Sequence, residues 1–236
     1  MMTVRKSILR SIQVSQPKTI PGNERGGTVQ RPWRTSLFKE PVDGPLRLEA
    51  AGLVGDAQAD LRHHGGTDKA ICAYPTDHYA YWESRLHQTL PNGAFGENFS
   101  VLGHNEASVC IGDTFQIGDA IVQVTQPRSP CWKIARRWHK KLALWFQETG
   151  FTGWYLRVLK PGTVEPGHPI DLIQRPHEAW TIQRVNLIRY HPAPDPEALT
   201  FLAQCEALSE NWRTRFQQTL TGNPTNDDHH RLGQTP

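Results

Sequence analysis

The stretch that decides the fold joins a strand to a helix and carries a cysteine at the junction: Ile121-Val122-Gln123-Val124-Thr125-Gln126-Pro127-Arg128-Ser129-Pro130-Cys131-Trp132-Lys133. The alternation at its start predicts a strand. Two prolines then interrupt both kinds of regular structure and predict a loop. Because Pro130 suits the first turn of a helix, Cys131 is expected at or near a helix N-terminus.

This position makes Cys131 the best candidate for a working thiolate. The unpaired N–H groups and the dipole of a helix N-terminus favour an anion. Arg128 and Lys133 add positive charge nearby. Such a setting favours the reactive or metal-binding form of a cysteine. The alternative is a half-buried structural cysteine, and these residues alone leave both interpretations open.

The residues that follow predict one helix that ends at Gly150, a typical C-cap residue. The helix is inferred from apolar residues that fall on one face, namely Ile134, Ala135, Trp138, Leu142, Trp145 and Phe146.

Composition excludes several classes of protein. The chain of 236 residues is 37% hydrophobic and 21% charged, which predicts a folded chain with one large domain or one domain and an appendage. A net charge of +3 suits an anionic small molecule and supports nucleic-acid binding only weakly. No C-x-x-C pair occurs among the four cysteines, so a zinc site made of cysteines is not expected.

The sequence also predicts where the protein resides. Its start lacks a long apolar segment, and no apolar run approaches the roughly 18 residues that a membrane span needs. We therefore expect a cytoplasmic protein with reduced thiols and no membrane contact.

The predicted fold class is mainly β (α+β). Several strands with hairpin spacing and two clear helices precede residue 175. A short strand is predicted at Ser36–Lys39, and a strand pair is predicted from Thr163–Glu165 and Ile170–Ile173. Three helices should follow, the second capped by Asp195 with Pro196 at its first position and the third capped by Ser209. The predicted units are a β domain at 1–175, a three-helix extension at 176–221 and a mobile tail at 222–236.

Two polar segments rich in glycine contain further candidates. The segment 52–70 includes Asp56, His64 and Lys69, and its backbone N–H groups together with Lys69 suit an anion. Glu97 and Asn98 lie between glycine-flanked turns and are suited to orienting a ligand or a catalytic group. Both segments are equally compatible with ordinary surface loops.

These motifs together resemble the MOSC proteins, which are named after the C-terminal domain of molybdenum cofactor sulfurase. Within that family the chain is most similar to the bacterial proteins of the 6-N-hydroxylaminopurine resistance type. The resemblance implies a MOSC-type β-barrel core with peripheral helices and a C-terminal three-helix extension. The matching segments are Gly52–Asp60, His64–Lys69, Ala94–Asn98, Gln126–Lys133 and Gly153–Val158.

The resemblance also implies a function. Proteins of this kind bind the molybdenum cofactor, molybdopterin, and reduce N-hydroxylated compounds such as hydroxylaminopurine-type base analogues, which is a detoxification. By this resemblance Cys131 is the molybdenum ligand, since a thiolate is a soft donor. The catalytic group would comprise Cys131, Asp56, His64, Glu97 and Asn98. The cofactor-binding group would comprise Arg25, Lys69, Tyr74, Arg128 and Lys133.

The expected partner is a separate reductase protein that donates electrons. No G-x-G-x-x-G sequence follows a predicted strand, so no dinucleotide site is indicated in this chain. The basic residues Arg136, Arg137, Lys140 and Lys141 are either a docking face for an acidic partner or a solvated helix face. We expect a monomer or a homodimer without nucleic acid.

Three other functions are considered from the sequence. Nucleic-acid binding through the C-terminal helices is poorly supported, because Arg184, Arg189, Arg213 and Arg215 are too few for a basic stripe. The remaining two stay open. One is a metal-free cysteine transferase or hydrolase with a Cys131–His64 pair. The other is a non-catalytic carrier or binding module for the cofactor or for sulfur.

Overall fold

The computed structural model describes residues 7–22, 24–25, 28–29, 31–61, 64–190, 193–224 and Leu232. The strands are β1 Ile8–Val14, β2 Lys18–Ile20, β3 Glu24–Arg25, β4 Thr28–Val29, β5 Trp33–Thr35, β6 Glu40–Val42, β7 Leu46–Glu49, β8 Gly52–Leu53, β9 Ile71–Pro75, β10 Phe99–Leu102, β11 Thr114–Ile117, β12 Ala120–Pro127, β13 Trp154–Lys160, β14 Gly162–Val164 and β15 Asp171–Gln174. The helices are α1 Tyr79–Leu86, α2 Trp132–Arg137, α3 Leu142–Thr149, α4 Ile182–Tyr190, α5 Pro196–Gln204 and α6 Glu210–Leu220.

Eight strands form one curled, mixed sheet in the order β15-β11-β12-β13-β9-β10-β1-β6. All neighbours are antiparallel except β9 and β10, which run parallel. A second sheet, β14-β7-β8, closes over part of it, and β2 pairs with β5. This half-barrel with peripheral helices confirms the predicted mainly β (α+β) class.

Two hydrophobic cores stabilise the molecule. The main core lies inside the curled sheet, where the alternate residues of β12, Val122 and Val124, are fully buried. The second core lies between α1, α2 and α3 and is rich in aromatic rings. In it Trp82 stacks on Phe146 with ring centroids 4.7 Å apart. The helices α2 and α3 are thereby fixed against the outside of the sheet.

The C-terminal helices belong to the main core. Ile182 and Val185 of α4, Leu202 of α5 and Phe216 of α6 are buried in it together with the strands. The predicted caps are present, since the side chain of Asp195 accepts from Glu197 N and that of Ser209 accepts from Trp212 N. The three helices therefore cover the sheet.

The predicted mobile tail is described only in part. Residues 225–231 and 233–236 lie outside the described residues. Leu232, within that segment, is buried in the second core.

Three local predictions were wrong. Ser36–Lys39 forms a connection between β5 and β6 rather than a strand, because Leu37 packs into the second core from a loop. The single predicted helix after Cys131 is two helices, α2 and α3, separated by residues 138–141. The predicted pairing of 163–165 with 170–173 is absent, since β14 pairs with β7 and β15 pairs with β11.

Among the described residues, no helix combines the length and the apolar character needed to cross a bilayer.

A partly buried ion pair connects the end of the sheet to the chain that leads into the helices. Arg175 donates from Nε and Nη2 to the two carboxylate oxygens of Asp113, at 2.9 and 2.7 Å. Asp113 is fully buried and also accepts from Cys110 N at 2.8 Å.

Replacing Arg175 should therefore destabilise the protein. We expect Arg175→Ala to lower the free energy of unfolding by about 2–3 kcal/mol, because a buried carboxylate loses its counter-ion. The exposed pair Arg47–Glu49 offers a control, and Arg47→Ala should cost less than about 1 kcal/mol. Urea unfolding of both variants gives the comparison, and equal losses would contradict the assignment.

Candidate functional site

A cleft of about 610 Å³, partly open to solvent, lies where the β12–α2 loop meets the connections after β5 and β8. Its wall combines basic, acidic and thiol groups from distant parts of the sequence. The lining residues are Thr35, Ser36, Leu37, Lys39, Asp56, Gln58, Ala59, Asp60, His64, Gly65, Lys69, Cys72, Gly96, Asn98, Arg128, Cys131, Lys133 and Tyr155.

Cys131 is at the N-cap of α2, as the sequence predicts, and lines the cleft. Its backbone is extended, with φ −129° and ψ 159°, and its side chain is half-buried. The second cysteine in the wall, Cys72, is buried, and burial raises the pKa of its thiol. Of the two thiols in the cleft, Cys131 is therefore the accessible one.

The loop that carries Cys131 is fixed by a close backbone approach. Arg128 N donates to Gly153 O at 3.0 Å. Gly153 has φ +70°, and a Cβ atom there would meet Ala73 O at 2.3 Å. Only glycine therefore permits this contact between β9, the start of β13 and the loop.

Arg128 is buried in the cleft wall with part of its hydrogen-bonding capacity unused. Its Nη2 donates to Phe95 O at 2.6 Å. Its Nη1 is buried and has no hydrogen-bond partner among the described residues. Buried polar atoms normally have partners, and an unsatisfied one calls for an explanation such as an absent ligand.

Ser36 shows the same feature. Its Oγ is buried, lines the same cleft and lacks a hydrogen-bond partner within the described part of the chain. Two unsatisfied buried atoms therefore lie in one wall, one of them on a guanidinium group, and this arrangement suits a ligand with acceptor oxygens.

The electrostatics of the wall favour an anion. Lys39, Lys69, Arg128 and Lys133 all line the cleft, against the two carboxylates Asp56 and Asp60. Burial lowers the pKa of Lys69, and Arg215 on α6 lowers it further. The C-terminal extension thus adds positive charge at the edge of the cleft.

His64 is neutral at physiological pH. Burial is the first cause that lowers its pKa to about 4, and the charges of Arg128, Lys133 and Lys69 lower it further. The described residues include no hydrogen bond between its ring and Cys131. An imidazolium beside a thiolate, which a metal-free Cys–His pair requires, is therefore disfavoured here.

Asp56 organises one side of the cleft. It forms a buried ion pair with Lys39, whose side chain is 6% exposed against 2% for that of Asp56. It also accepts from Ser15 N and from Asn98 Nδ2, both at 2.8 Å. Asn98 Oδ1 in turn accepts from Cys72 N at 3.1 Å. These contacts fix Lys39 and Asn98 at the cleft wall.

Two predicted site residues do not line the cleft. Glu97 is fully buried and accepts from Tyr79 Oη, from Gly93 N and Phe95 N, and from Ser100 Oγ. It stabilises the turn that presents Phe95 O to Arg128. Tyr74 is fully buried in the second core, and its hydroxyl donates to Phe151 O at 3.1 Å. The structure thus gives both side chains contacts away from the cleft wall.

A third predicted residue, Arg25, is placed only by its backbone. It belongs to β3, and its side chain lies outside the described residues.

Sequence reasoning missed Lys39, Ser36 and Tyr155 as lining residues. Lys39 and Ser36 lie within a predicted strand, and Tyr155 is one aromatic residue in a strand of the sheet. Lys39 and Ser36 come to the cleft through tertiary contacts that no local motif marks, whereas Tyr155 lies within the matching segment Gly153–Val158. The described residues contain no group of three or more His, Cys, Asp or Glu side chains that could hold a metal ion.

The contribution of the buried ion pair between Lys39 and Asp56 to stability can be measured by replacing Lys39. We expect Lys39→Met to lower the free energy of unfolding by about 3 kcal/mol, because Asp56 would remain buried as a charge with only two N–H donors. The double variant Lys39→Met/Asp56→Asn should recover part of this loss. Urea unfolding measures both. Lys160→Met, at an exposed lysine, is the control, and an equal effect there would contradict the prediction.

His64 should make the protein less stable in acid. Its pKa is lower in the folded state, about 4, than its ordinary value of 6.5. The unfolded chain therefore binds the additional proton as the pH falls from 6.5 to 4, and stability decreases over this range. We expect His64→Asn to reduce this acid-induced loss by up to about 3 kcal/mol. Urea unfolding at pH 4, 5, 6 and 7.5 measures it, and parallel curves for wild type and variant would contradict it.

Comparisons with known proteins agree with this architecture. The MOSC domain family matches residues 60–171, and the YiiM-like, 3-alpha helix domain matches residues 180–222. Protein YiiM of Escherichia coli (strain K12) is 38% identical over 193 residues, which are 80% of this chain and 86% of that protein. The crystal structure of YiiM from Geobacillus stearothermophilus is 39% identical, with a TM-score of 0.76, and the match covers 91% of this chain and 99% of that one.

A more distant relative is a longer protein. A protein of Gibberella moniliformis named Reductase is 34% identical over 195 residues, which are 79% of this chain but 34% of that protein. Identity over nearly the full length of YiiM and the match of both of its domains establish the family. This chain belongs to the MOSC-domain proteins of the YiiM type, with the YiiM-like three-helix domain at its C-terminal end.

Proposed function

We propose that this chain binds the molybdenum cofactor in the cleft and reduces N-hydroxylated compounds, among them hydroxylaminopurine-type base analogues. The observation that carries the proposal is the unsatisfied, buried guanidinium nitrogen of Arg128 in a cleft that also presents Cys131. Membership of the MOSC family and the name of the fungal relative support it.

The residues present fit such a group. Arg128 Nη1 and Ser36 Oγ offer unused hydrogen-bonding capacity to the oxygens of a phosphate or a pterin. Cys131 offers one soft donor, which suits a metal whose other ligands belong to the cofactor.

The protein's own groups divide into three roles in this proposal. Cys131 holds the metal. Arg128, Lys69, Lys133 and Lys39 neutralise the anionic end of the cofactor. His64, neutral at physiological pH, is the candidate for orienting the substrate and for holding a proton at a ring nitrogen.

Asp56 and Asn98 have a different task. Their polar atoms are engaged with Lys39, with each other and with backbone groups, so both are positioning residues.

The net reaction converts R–NH–OH, two electrons and two protons into R–NH2 and water. When bound, the cofactor supplies the two-electron exchange by which the N–O bond is broken. The protein binds the substrate, excludes bulk water from the inner wall and holds protons near the departing oxygen.

The electrons come, in this proposal, from a separate reductase protein. The sequence shows no dinucleotide-binding fingerprint that would bring NAD(P)H to this chain. About two thirds of the fungal protein named Reductase lies outside the match to this chain, so a related unit is there joined to a longer polypeptide.

The decisive experiment replaces Cys131. Protein is made in cells that synthesise the cofactor, and molybdenum per chain is measured together with reduction of 6-N-hydroxylaminopurine by reduced methyl viologen. We expect Cys131→Ser to lose at least about tenfold in molybdenum content and most of the activity. Cys205→Ala, at a buried cysteine outside the cleft, should retain both.

Other outcomes separate the competing functions. Unchanged molybdenum and unchanged activity in Cys131→Ser would contradict the ligand assignment. Wild-type protein that holds the cofactor but shows no turnover would be a carrier. Full turnover by protein from cofactor-deficient cells would assign metal-free cysteine chemistry to Cys131.

A further inference from the structure

We propose that α2, residues 138–141 and the segment 31–38 form a docking surface for an electron-donor protein with an acidic surface. This inference rests on the proposed function, since it names where its electrons enter. We call this surface the basic face, and its cations are Arg31, Arg136, Arg137, Lys140 and Lys141.

Positive charge is concentrated here. Residues 31–39 and 131–147, which are 26 of the 236 residues, contain eight of the chain's 26 Lys and Arg and none of its 23 Asp and Glu. Two of the eight, Lys39 and Lys133, line the cleft, and five others form the basic face. The eighth, Arg34, alternates on β5 with the buried Trp33 and Thr35, so its side chain lies on the opposite face of that strand. Lys140 and Lys141 are exposed, and no ion pair to a carboxylate is found for these two within the described residues.

Contacts between the two segments make the basic face one surface. Arg136 donates to Arg31 O, and Arg137 donates to Leu37 O at 2.7 Å. The guanidinium of Arg136 lies 5.1 Å from the ring centroid of Trp33, and that of Arg137 lies 4.5 Å from the ring of Phe38. The loop and α2 therefore present their charges together.

The basic face is adjacent to the cleft. Cys131, in the cleft wall, is followed directly by Trp132 on α2. The ring of Trp132 lies 5.7 Å from that of Trp33, between centroids, and Arg136 contacts both rings. An electron donor that docks on the basic face would therefore be separated from Cys131, the proposed metal ligand, by the side chains of Trp33 and Trp132.

The geometry favours an acidic protein over a nucleic acid. Single-stranded nucleic acid binds where bases stack on open aromatic rings. Here Trp33 is buried, and the guanidinium groups of Arg136 and Arg137 lie against the rings of Trp33, Trp132, Phe38 and Trp138. The exposed Lys140 and Lys141 lie near rings that the guanidinium groups cover, and such exposed charges attract a protein of opposite charge during its approach.

The test uses a charge reversal outside the cleft. Holoprotein with Lys140→Glu/Lys141→Glu is compared with Arg10→Glu/Lys160→Glu, which changes the net charge equally at exposed residues on β1 and β13. The new acids at the start of α3 suit a helix N-terminus, so folding should be maintained. Reduction of 6-N-hydroxylaminopurine is measured with two donors, the acidic protein flavodoxin in its reduced form and reduced methyl viologen.

We expect the Lys140→Glu/Lys141→Glu variant to show about a tenfold higher KM for flavodoxin at low salt, a difference that shrinks as NaCl is added. Its rate with methyl viologen and both rates of the control should stay at the wild-type level. Two results would overturn the inference. One is an equal KM for flavodoxin in the lysine variant and in the control variant. The other is a wild-type protein that turns over with methyl viologen but not with flavodoxin. Binding of single-stranded DNA that the lysine variant alone loses would also overturn it. Absence of turnover with viologen in the wild type would instead contradict the proposed function.

Discussion

The cleft depends on the guanidinium group of Arg128, which is buried without a carboxylate partner in the described part of the chain. Removing an arginine charge from water costs several kcal/mol unless partners replace the lost hydration. Arg128 receives one such partner, Phe95 O, and the turn that presents this oxygen is in turn fixed by the buried carboxylate of Glu97. A second nitrogen remains unsatisfied. The fold therefore leaves a buried guanidinium nitrogen in the cleft wall with unused hydrogen-bonding capacity, which suits an anion with acceptor oxygens.

The three C-terminal helices take part in this arrangement. Thr125 Oγ1 on β12 donates to Asp68 O at 2.6 Å, and Thr125 O accepts from Ser209 N, at the cap of α6, at 3.0 Å. Asp68 also pairs with Arg157 of β13 at 2.9 Å. The segment that leads to Lys69 is thus held between the sheet and α6. Because these helices also share the main core, the position of the cleft residues depends on the extension as well as on the sheet.

The sequence reveals those parts of the fold that local chemistry determines. Pro130 and Cys131 mark the start of α2, and Asp195 and Ser209 mark two other helix starts, because caps and prolines act within a few residues. The apolar periodicity does not predict the break between α2 and α3, because Trp138 and Leu142 keep helical spacing across it. It also suggested a strand at 36–39, where the apolar side chain of Leu37 packs from a loop.

The candidate site was accessible from sequence only where a motif carried it. Cys131, Arg128 and Lys133 share one motif and reach one cleft. Lys39 has no such signal, because its partner Asp56 is brought to it by the path of the chain through β6, β7 and β8. Glu97 is a polar residue near glycines and is predicted to be a site residue. Its carboxylate oxygens instead accept hydrogen bonds from a tyrosine, a serine and two backbone N–H groups. Whether a polar residue is available to a ligand is decided by tertiary hydrogen bonds, which a sequence does not display.

The positive charges near the Cys131 thiol form two groups, one buried in the cleft wall and one exposed on the basic face. In the cleft wall Lys39 and Arg128 are buried, where water is largely excluded and charges interact strongly over a few ångströms. On the basic face Lys140 and Lys141 are exposed, so their effect is screened by salt and acts mainly on the approach of a partner. A net charge of +3 conceals this division. Cys131 and Trp132 lie at its boundary, so the proposed anionic cofactor and the proposed acidic electron donor would approach neighbouring residues at the start of one short helix.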